Sequence, residues 1–253
     1  VSTPLVPSPT PEDPWAHLRQ WTGARIALGR AGGSLPTRYV MEFRLAHAAA
    51  RDAVQREFDH CHLRSRIAQI PLESVLVHTK ATSRAEHLRR PDHGRALDEE
   101  SAHQLAALAV EEVDLSIAVS DGLSATAVEK QVIPVLEAMR PLLTGWKQAP
   151  IAVVPFGRVA VQDQIGSLLR AKLSLILIGE RPGLKSPESL GAYLVHTPRV
   201  GKTDADRNCI SNIHAAGVPP AQAAEKIVTL LAMARTLGYS GVQLKDPGIP
   251  TLS

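Results

Sequence analysis

Leu173-Ser-Leu-Ile-Leu-Ile178, running straight into Gly179-Glu-Arg-Pro-Gly183, is the stretch on which the fold turns. A short apolar run with one small polar interruption, closed by a Gly/Pro turn, reads as a strand buried on both faces, the kind that lies in a sheet covered by helices on either side. It is also far short of the ~20 apolar residues that span a bilayer. Upstream the pattern alternates. Leu115-Ser-Ile-Ala-Val119 reads as a strand, Ser124 to Leu143 as a helix that Pro134 should kink, Ile151 to Val154 as a strand and Gln162 to Ala171 as a helix. Downstream come a strand at Ala192 to His196, a long helix from Pro220 to Leu237 and a last strand at Gly241 to Leu244. Strands alternating with helices imply βαβ units with right-handed crossovers. The expected fold class is therefore α/β, a mostly parallel, Rossmann-like sheet flanked by helices.

The chain before this region is of another kind. Five prolines (Pro4, Pro7, Pro9, Pro11, Pro14) mark residues 1–14 as a proline-rich linker or truncated tail. From Val40 the apolar positions Val40, Phe43, Ala46, Ala50, Val54 and Phe58 recur at helical spacing behind an N-cap expected at Thr37. Ser74 to Val77 reads as a short strand and Asp98 to Glu112 as another helix. Residues 15–112 are thus expected as a smaller, mainly helical segment, and 113–253 as the α/β domain.

Composition narrows the function. Twenty-eight basic against 25 acidic side chains leave a net charge of +3 over 253 residues, too little to indicate nucleic-acid binding. Two cysteines, Cys61 and Cys209, without a CxxC pattern cannot form a disulfide framework and fit reduced thiols in a cytoplasmic protein. No signal-peptide core or membrane span is present in the sequence. The Gly29 to Ser34 loop lacks the Gly-Lys-Ser/Thr ending of a phosphate-binding loop, no GxGxxG follows a strand, and no Gly-x-Ser-x-Gly elbow offers a nucleophile. The histidines His60, His62, His78, His87 and His93 match no metal-ligand spacing and read as a solvated helical surface. No catalytic or metal-binding constellation emerges. In open α/β sheets ligands sit beyond the carboxyl ends of the strands, so attention falls on Ser120-Asp-Gly122, Phe156-Gly-Arg-Val159 and Gly179-Glu-Arg-Pro-Gly183.

Those segments are not generic. Gly157-Arg-Val-Ala-Val-Gln-Asp-Gln-Ile-Gly166, Ile178-Gly-Glu-Arg-Pro-Gly-Leu184, Asp206-Arg-Asn-Cys-Ile-Ser-Asn-Ile-His214 and Val119-Ser-Asp-Gly-Leu-Ser124, with Gly29-Arg-Ala-Gly32 and Arg90-Pro-Asp92, resemble the small subunits of ethanolamine ammonia-lyase in the same order. The resemblance implies a lyase that turns ethanolamine into acetaldehyde and ammonia by radical chemistry begun on adenosylcobalamin, active only with a large subunit in a hetero-oligomer. It places the substrate in that partner and no catalytic residue here, and it implies cofactor contacts at Val159, Glu180 and Cys209. Either Arg158 or Arg181 could instead neutralise a buried Glu180. The resemblance also admits enclosure in a bacterial microcompartment. Asn212-Ile-His214-Ala-Ala-Gly217 differs only at its first position from the Asp-x-His-x-x-Gly sequence by which some B12 proteins substitute histidine for the cofactor's lower base. Asn212 cannot raise the basicity of His214 as a carboxylate would, so the lower base is expected to stay on cobalt. A non-catalytic assembly subunit that binds only protein, and an independent small-molecule enzyme, are the competing readings.

Overall fold

The computed structural model describes residues 13–245, so residues 1–12 of the proline-rich start lie outside the described residues. The N-terminal part carries helices α1 (Thr37–Gln55), α2 (His60–Gln69), α3 (Arg84–Arg89) and α4 (Glu99–Leu108), with strand β1 (Ser74–Leu76) between α2 and α3. Then follow β2 (Val113–Ser120), α5 (Ala125–Leu142), β3 (Ile151–Val153), α6 (Val161–Leu168), β4 (Ala171–Gly179), β5 (Leu190–His196), β6 (Arg207–Ile213) and α7 (Pro220–Leu237).

Six strands form one sheet in the order β1-β3-β2-β4-β5-β6. The first four run parallel, but β5 pairs antiparallel with β4 and β6 antiparallel with β5. The sheet is therefore mixed rather than mostly parallel. The cause lies in the connections, because no α-helix separates β4 from β5 or β5 from β6, and a parallel return needs a long crossover.

The core follows the strand alternation. Leu115, Ile117, Val119, Leu173, Leu175 and Leu177 point into one layer with α5, α7 and the α2 residues Leu63 and Ile67. Ala118, Ile176 and Ile178 point into the other, against Val161 and Ile165 of α6 and Leu105 of α4. Burying each Leu or Ile contributes ~1.5 to 3 kcal/mol, and every residue of β4 except Lys172 is buried, so this strand anchors both layers.

Several local expectations need correction. Gly241 to Leu244 is no strand. Gly241–Gln243 forms a 3-10 turn with Gly241 at φ +84°, where a Cβ would lie 2.0 Å from the Ala205 carbonyl oxygen, so an Ala or Val side chain is barred. The last strand is instead Arg207–Ile213, which carries Cys209. Thr37 is inside α1 and the cap position is Pro36. α4 stops at Leu108, before the expected end at Glu112. α2, α4 and α5 carry the side-chain caps their sequences offer: Asp59 accepts from His62 N (2.8 Å), Asp98 from Ser101 N (2.7 Å) and Ser124 from Ala127 N (3.2 Å).

Candidate functional site

β2 and β3 are neighbours, yet the helices that follow them lie on opposite faces of the sheet, α5 in one core layer and α6 in the other. The two chain paths part at the carboxyl ends of these strands and leave a crevice there. Gly179 closes its floor. A Cβ on this residue would fall 2.2 Å from the Ser124 carbonyl oxygen and 2.4 Å from that of Asp121, so β4 can approach the β2 turn this closely only as glycine.

The crevice wall is held by a chain of polar contacts. The fully buried Asp121 accepts the Phe156 N–H (2.7 Å) and forms an ion pair with Arg84. Arg84 also donates to the Gly122 carbonyl (2.7 Å) and lies over the Phe156 ring, 5.4 Å from its centroid. Phe156 itself adopts φ +59°, which is costly for a bulky side chain and persists only where the surroundings over-determine it. Here its carbonyl accepts from His87 Nδ1 (2.7 Å) and Thr79 Oγ1 (3.4 Å). His87, expected on a solvated surface, is completely buried. Burial, followed by the Arg158 and Arg84 charges, pushes its pKa down to about 4, so a neutral imidazole pins the loop that carries Arg158 and Val159. Arg158 in turn donates to the His87 carbonyl (2.9 Å).

A cavity of about 390 Å³ opens at this wall, lined among others by Gly122, Arg158, Val159, Ile178, Glu180 and Tyr193. Two of the three anticipated contacts, Val159 and Glu180, thus share one cavity. The third, Cys209, is exposed and stands directly opposite Tyr193 across the β5–β6 ladder. Burial, then Cys209 through its charge and a hydrogen bond, then Glu180, raises the Tyr193 phenol well above its usual range, so the hydroxyl stays protonated. Tyr193 is therefore the point on which the three residues converge.

Glu180 makes no ion pair with Arg158 or Arg181 among the described residues. Its Oε2 accepts the Ser189 hydroxyl and the Asn212 N–H (3.2 Å), tying the end of β4 to β5 and β6. The carboxylate is positioned by three strands before any ligand arrives. His214 is buried, and both its ring nitrogens are engaged within its own turn, Nε2 with Asn212 Oδ1 (2.8 Å) and Nδ1 with the Ala216 N–H (3.3 Å). That pattern assigns the proton to Nε2. Among the described residues no group of three or more His, Cys, Asp or Glu side chains is placed to hold a metal ion.

The residue-by-residue reading missed Tyr193, His87 and the Arg84–Asp121 pair. Tyr193 leaves a trace, as the one polar side chain between Leu190 and Val195, whereas His87 and Arg84 leave none because their partners are distant in sequence.

Residues 12–245 match the family model described as "Ethanolamine ammonia-lyase light chain (EutC)". The chain is 50% identical to the ethanolamine ammonia-lyase small subunit of Pseudomonas aeruginosa over 246 residues, covering 95% of this chain and 90% of that protein. The corresponding protein of Xanthomonas campestris pv. campestris is 50% identical over 251 residues (97% and 91%), and that of Pseudomonas putida 48% over 244 (94% and 90%). With matches of this extent, spanning the sheet, the crevice and the helices before them, the chain belongs to the family of ethanolamine ammonia-lyase light chains.

Proposed function

We propose that this chain is the small subunit of an adenosylcobalamin-dependent ethanolamine ammonia-lyase, and that the crevice beyond β2, β3 and β4 forms one wall of the cofactor site. The reading includes a large subunit as obligate partner in a cytoplasmic hetero-oligomer, with the substrate held by that partner. The observation that carries it is the convergence of Val159, Glu180 and Cys209 around Tyr193 at the strand ends.

The residues fit such a ligand. A corrinoid presents a rim of amide groups, which need both donors and acceptors, around a bulky apolar body. The crevice offers the fixed Glu180 carboxylate as acceptor, the Tyr193 hydroxyl as donor, and Val159 with Ile178 as apolar surface. When bound, adenosylcobalamin supplies the radical chemistry by which ethanolamine becomes acetaldehyde and ammonia. The residues of this chain bind and orient. Glu180 accepts hydrogen bonds without exchanging protons, Cys209 and Tyr193 border the ligand on the β5–β6 side, and the neutral His87 fixes the loop bearing Val159. The engagement of both His214 nitrogens supports retention of the cofactor's own lower base.

The test is reconstitution. The purified chain is expected to be inactive on ethanolamine with adenosylcobalamin, to co-purify with the large subunit, and to restore turnover when mixed with it. Turnover by the chain alone, or full turnover by the large subunit without it, would overturn the proposal.

A further inference from the structure

The crevice has a neighbour. Across Arg158 and Val159 lies a second cavity of about 590 Å³, whose lining includes Arg95, Arg158, Ala160, Lys202 and Arg207. Its positive charges are unequally used. Arg207 is buried in an ion pair with Asp163 and hydrogen bonded to the Thr203 carbonyl, and Lys202 pairs with Asp206 at 3.5 Å. Arg95 and Arg158, by contrast, form no ion pair among the described residues. They are held together, because the Arg158 N–H donates to the Gly94 carbonyl at 2.7 Å and a Cβ on Gly94 would lie 2.9 Å from Arg158 Cγ. The buried Nε of Arg158 has no hydrogen-bond partner either. Burial and the nearby Arg95, Arg84 and Arg181 charges push the Arg158 guanidinium below its usual range, and the Asp121 carboxylate, already paired with Arg84, only partly offsets them. The amides of Val159 and Ala160, at the same rim, donate to no acceptor among the described residues. Asp163, which also faces this cavity, is already matched by Arg207, and Asp204 lies exposed at the outer edge.

We propose that this second cavity is a phosphoryl-oxyanion subsite in which Arg95 and Arg158, with the Val159 and Ala160 amides, bind the phosphodiester of the cofactor's nucleotide tail. Planar guanidinium forks and converging backbone N–H groups suit phosphate oxygens, and an anion there relieves the repulsion between the two arginines. The inference rests on the cofactor reading above. It adds that the ligand straddles Val159, with its amide-rimmed body toward Glu180 and Tyr193 and its anionic tail toward Arg95.

The experiment measures equilibrium binding, by absorbance titration, of adenosylcobalamin and of adenosylcobinamide, which lacks the nucleotide and its phosphodiester, to the complex reconstituted with the large subunit. Arg95 is exposed, so Arg95→Gln and Arg95→Glu should fold; Arg158→Gln is the second site, checked by its thermal transition. Arg95→Gln should weaken adenosylcobalamin binding by about tenfold and Arg95→Glu by more, with adenosylcobinamide affinity unchanged within about twofold. Equal losses for both corrinoids, or no loss for either, would overturn the subsite. Calorimetric titration of inorganic phosphate into the complex saturated with adenosylcobalamin should give no binding. Phosphate binding there that Arg95→Glu abolishes would assign the site to a free phosphoryl ligand and overturn its assignment to the tail. If the wild-type complex binds neither corrinoid, the cofactor reading itself fails, which is a separate result from normal corrinoid binding that ignores Arg95.

Discussion

Replacing Glu180 separates the strand clamp seen in the structure from the ligand contact proposed for the same carboxylate. Oε2 accepts from Ser189, itself 5% exposed, and from the Asn212 N–H, so the side chain joins β4 to the two antiparallel strands beyond it. A hydrogen bond to a charged group contributes ~1.5 to 3 kcal/mol, and the partial exposure of Glu180 puts each of these two near the lower end. Glu180→Ala should then cost about 2 to 4 kcal/mol, including the hydroxyl left without its acceptor. For a chain of this size that is a fall of roughly 5 to 12 °C in the melting temperature. Glu180→Gln keeps a carbonyl oxygen where Oε2 stands, so both bonds can persist as neutral ones and the loss should be about 1 kcal/mol. Cofactor affinity should drop about tenfold in the Gln variant, while turnover of the reconstituted complex at saturating cofactor changes little. The assays are thermal unfolding of the full chain followed by circular dichroism, and cofactor titration of the complex. An Ala variant that melts with the wild type would refute the clamp. A Gln variant with normal affinity and collapsed saturated turnover would show Glu180 to be chemical rather than positional.

Other consequences follow from neighbouring contacts. Gly179→Ala drives a Cβ into two backbone carbonyls and should cost more than ~3 kcal/mol, read as loss of soluble yield or a depressed unfolding midpoint; wild-type stability would contradict the close approach of β4 to the β2 turn. His87 is neutral in the fold with a pKa of about 4 against 6.5 when exposed, so the unfolded chain binds the extra proton between those values and stability falls as pH drops from 6.5 to 4. The full effect is about 3 kcal/mol, and denaturant unfolding of His87→Gln should show a shallower pH slope than the wild type over that window; equal slopes would exclude His87 as the source. Asp163→Asn removes the buried partner of Arg207, leaving only the exposed Asp204 at 4.0 Å, and should destabilise by about 3 kcal/mol, whereas a change below about 1 kcal/mol would mean the pair is not buried as described. His214→Ala should leave the paramagnetic spectrum of the cobalt(II) state unchanged, and loss of histidine nitrogen splitting on mutation would make His214 the lower ligand.

The parts of this fold that are legible in the sequence are those where burial alone decides. Leu173 to Ile178 and Leu115 to Val119 are apolar on both faces because both faces are covered, and Pro220 to Leu237 has helical periodicity over its whole length. Edge structure is harder. Arg207–Ile213 buries only three of its positions, Arg207, Ile210 and Ile213, a pattern that does not look like a strand, whereas Gly241 to Leu244 does look like one and is a turn set by a left-handed glycine. α2 was hidden among His60, His62, Arg64 and Arg66, although its cap at Asp59 and the Leu63/Ile67 spacing were available. α1 has the expected periodicity but buries only Tyr39 and Ala53, leaving Phe43 45% exposed, so a periodic stripe does not by itself say what covers it. For the site, the strand-end rule selects loops that line the crevice, and the family resemblance supplies the expectation of Val159, Glu180 and Cys209. Their relation to Tyr193 depends on the antiparallel β4–β5–β6 register, which no local pattern encodes.

The central claim is that the crevice beyond β2, β3 and β4 is a wall of the cofactor site, and blocking it tests that claim most directly. Val159→Trp, at a half-buried position on the edge of the α6-side core, should fill the 390 Å³ cavity from its rim. Adenosylcobalamin binding is then compared for the wild-type complex, the Val159→Trp complex and the large subunit alone, with assembly verified by size-exclusion chromatography. The account predicts that the variant assembles normally and binds at least about a hundredfold more weakly than the wild type, a loss near 3 kcal/mol. Equal affinity in all three preparations would place the cofactor site wholly in the large subunit and contradict the account.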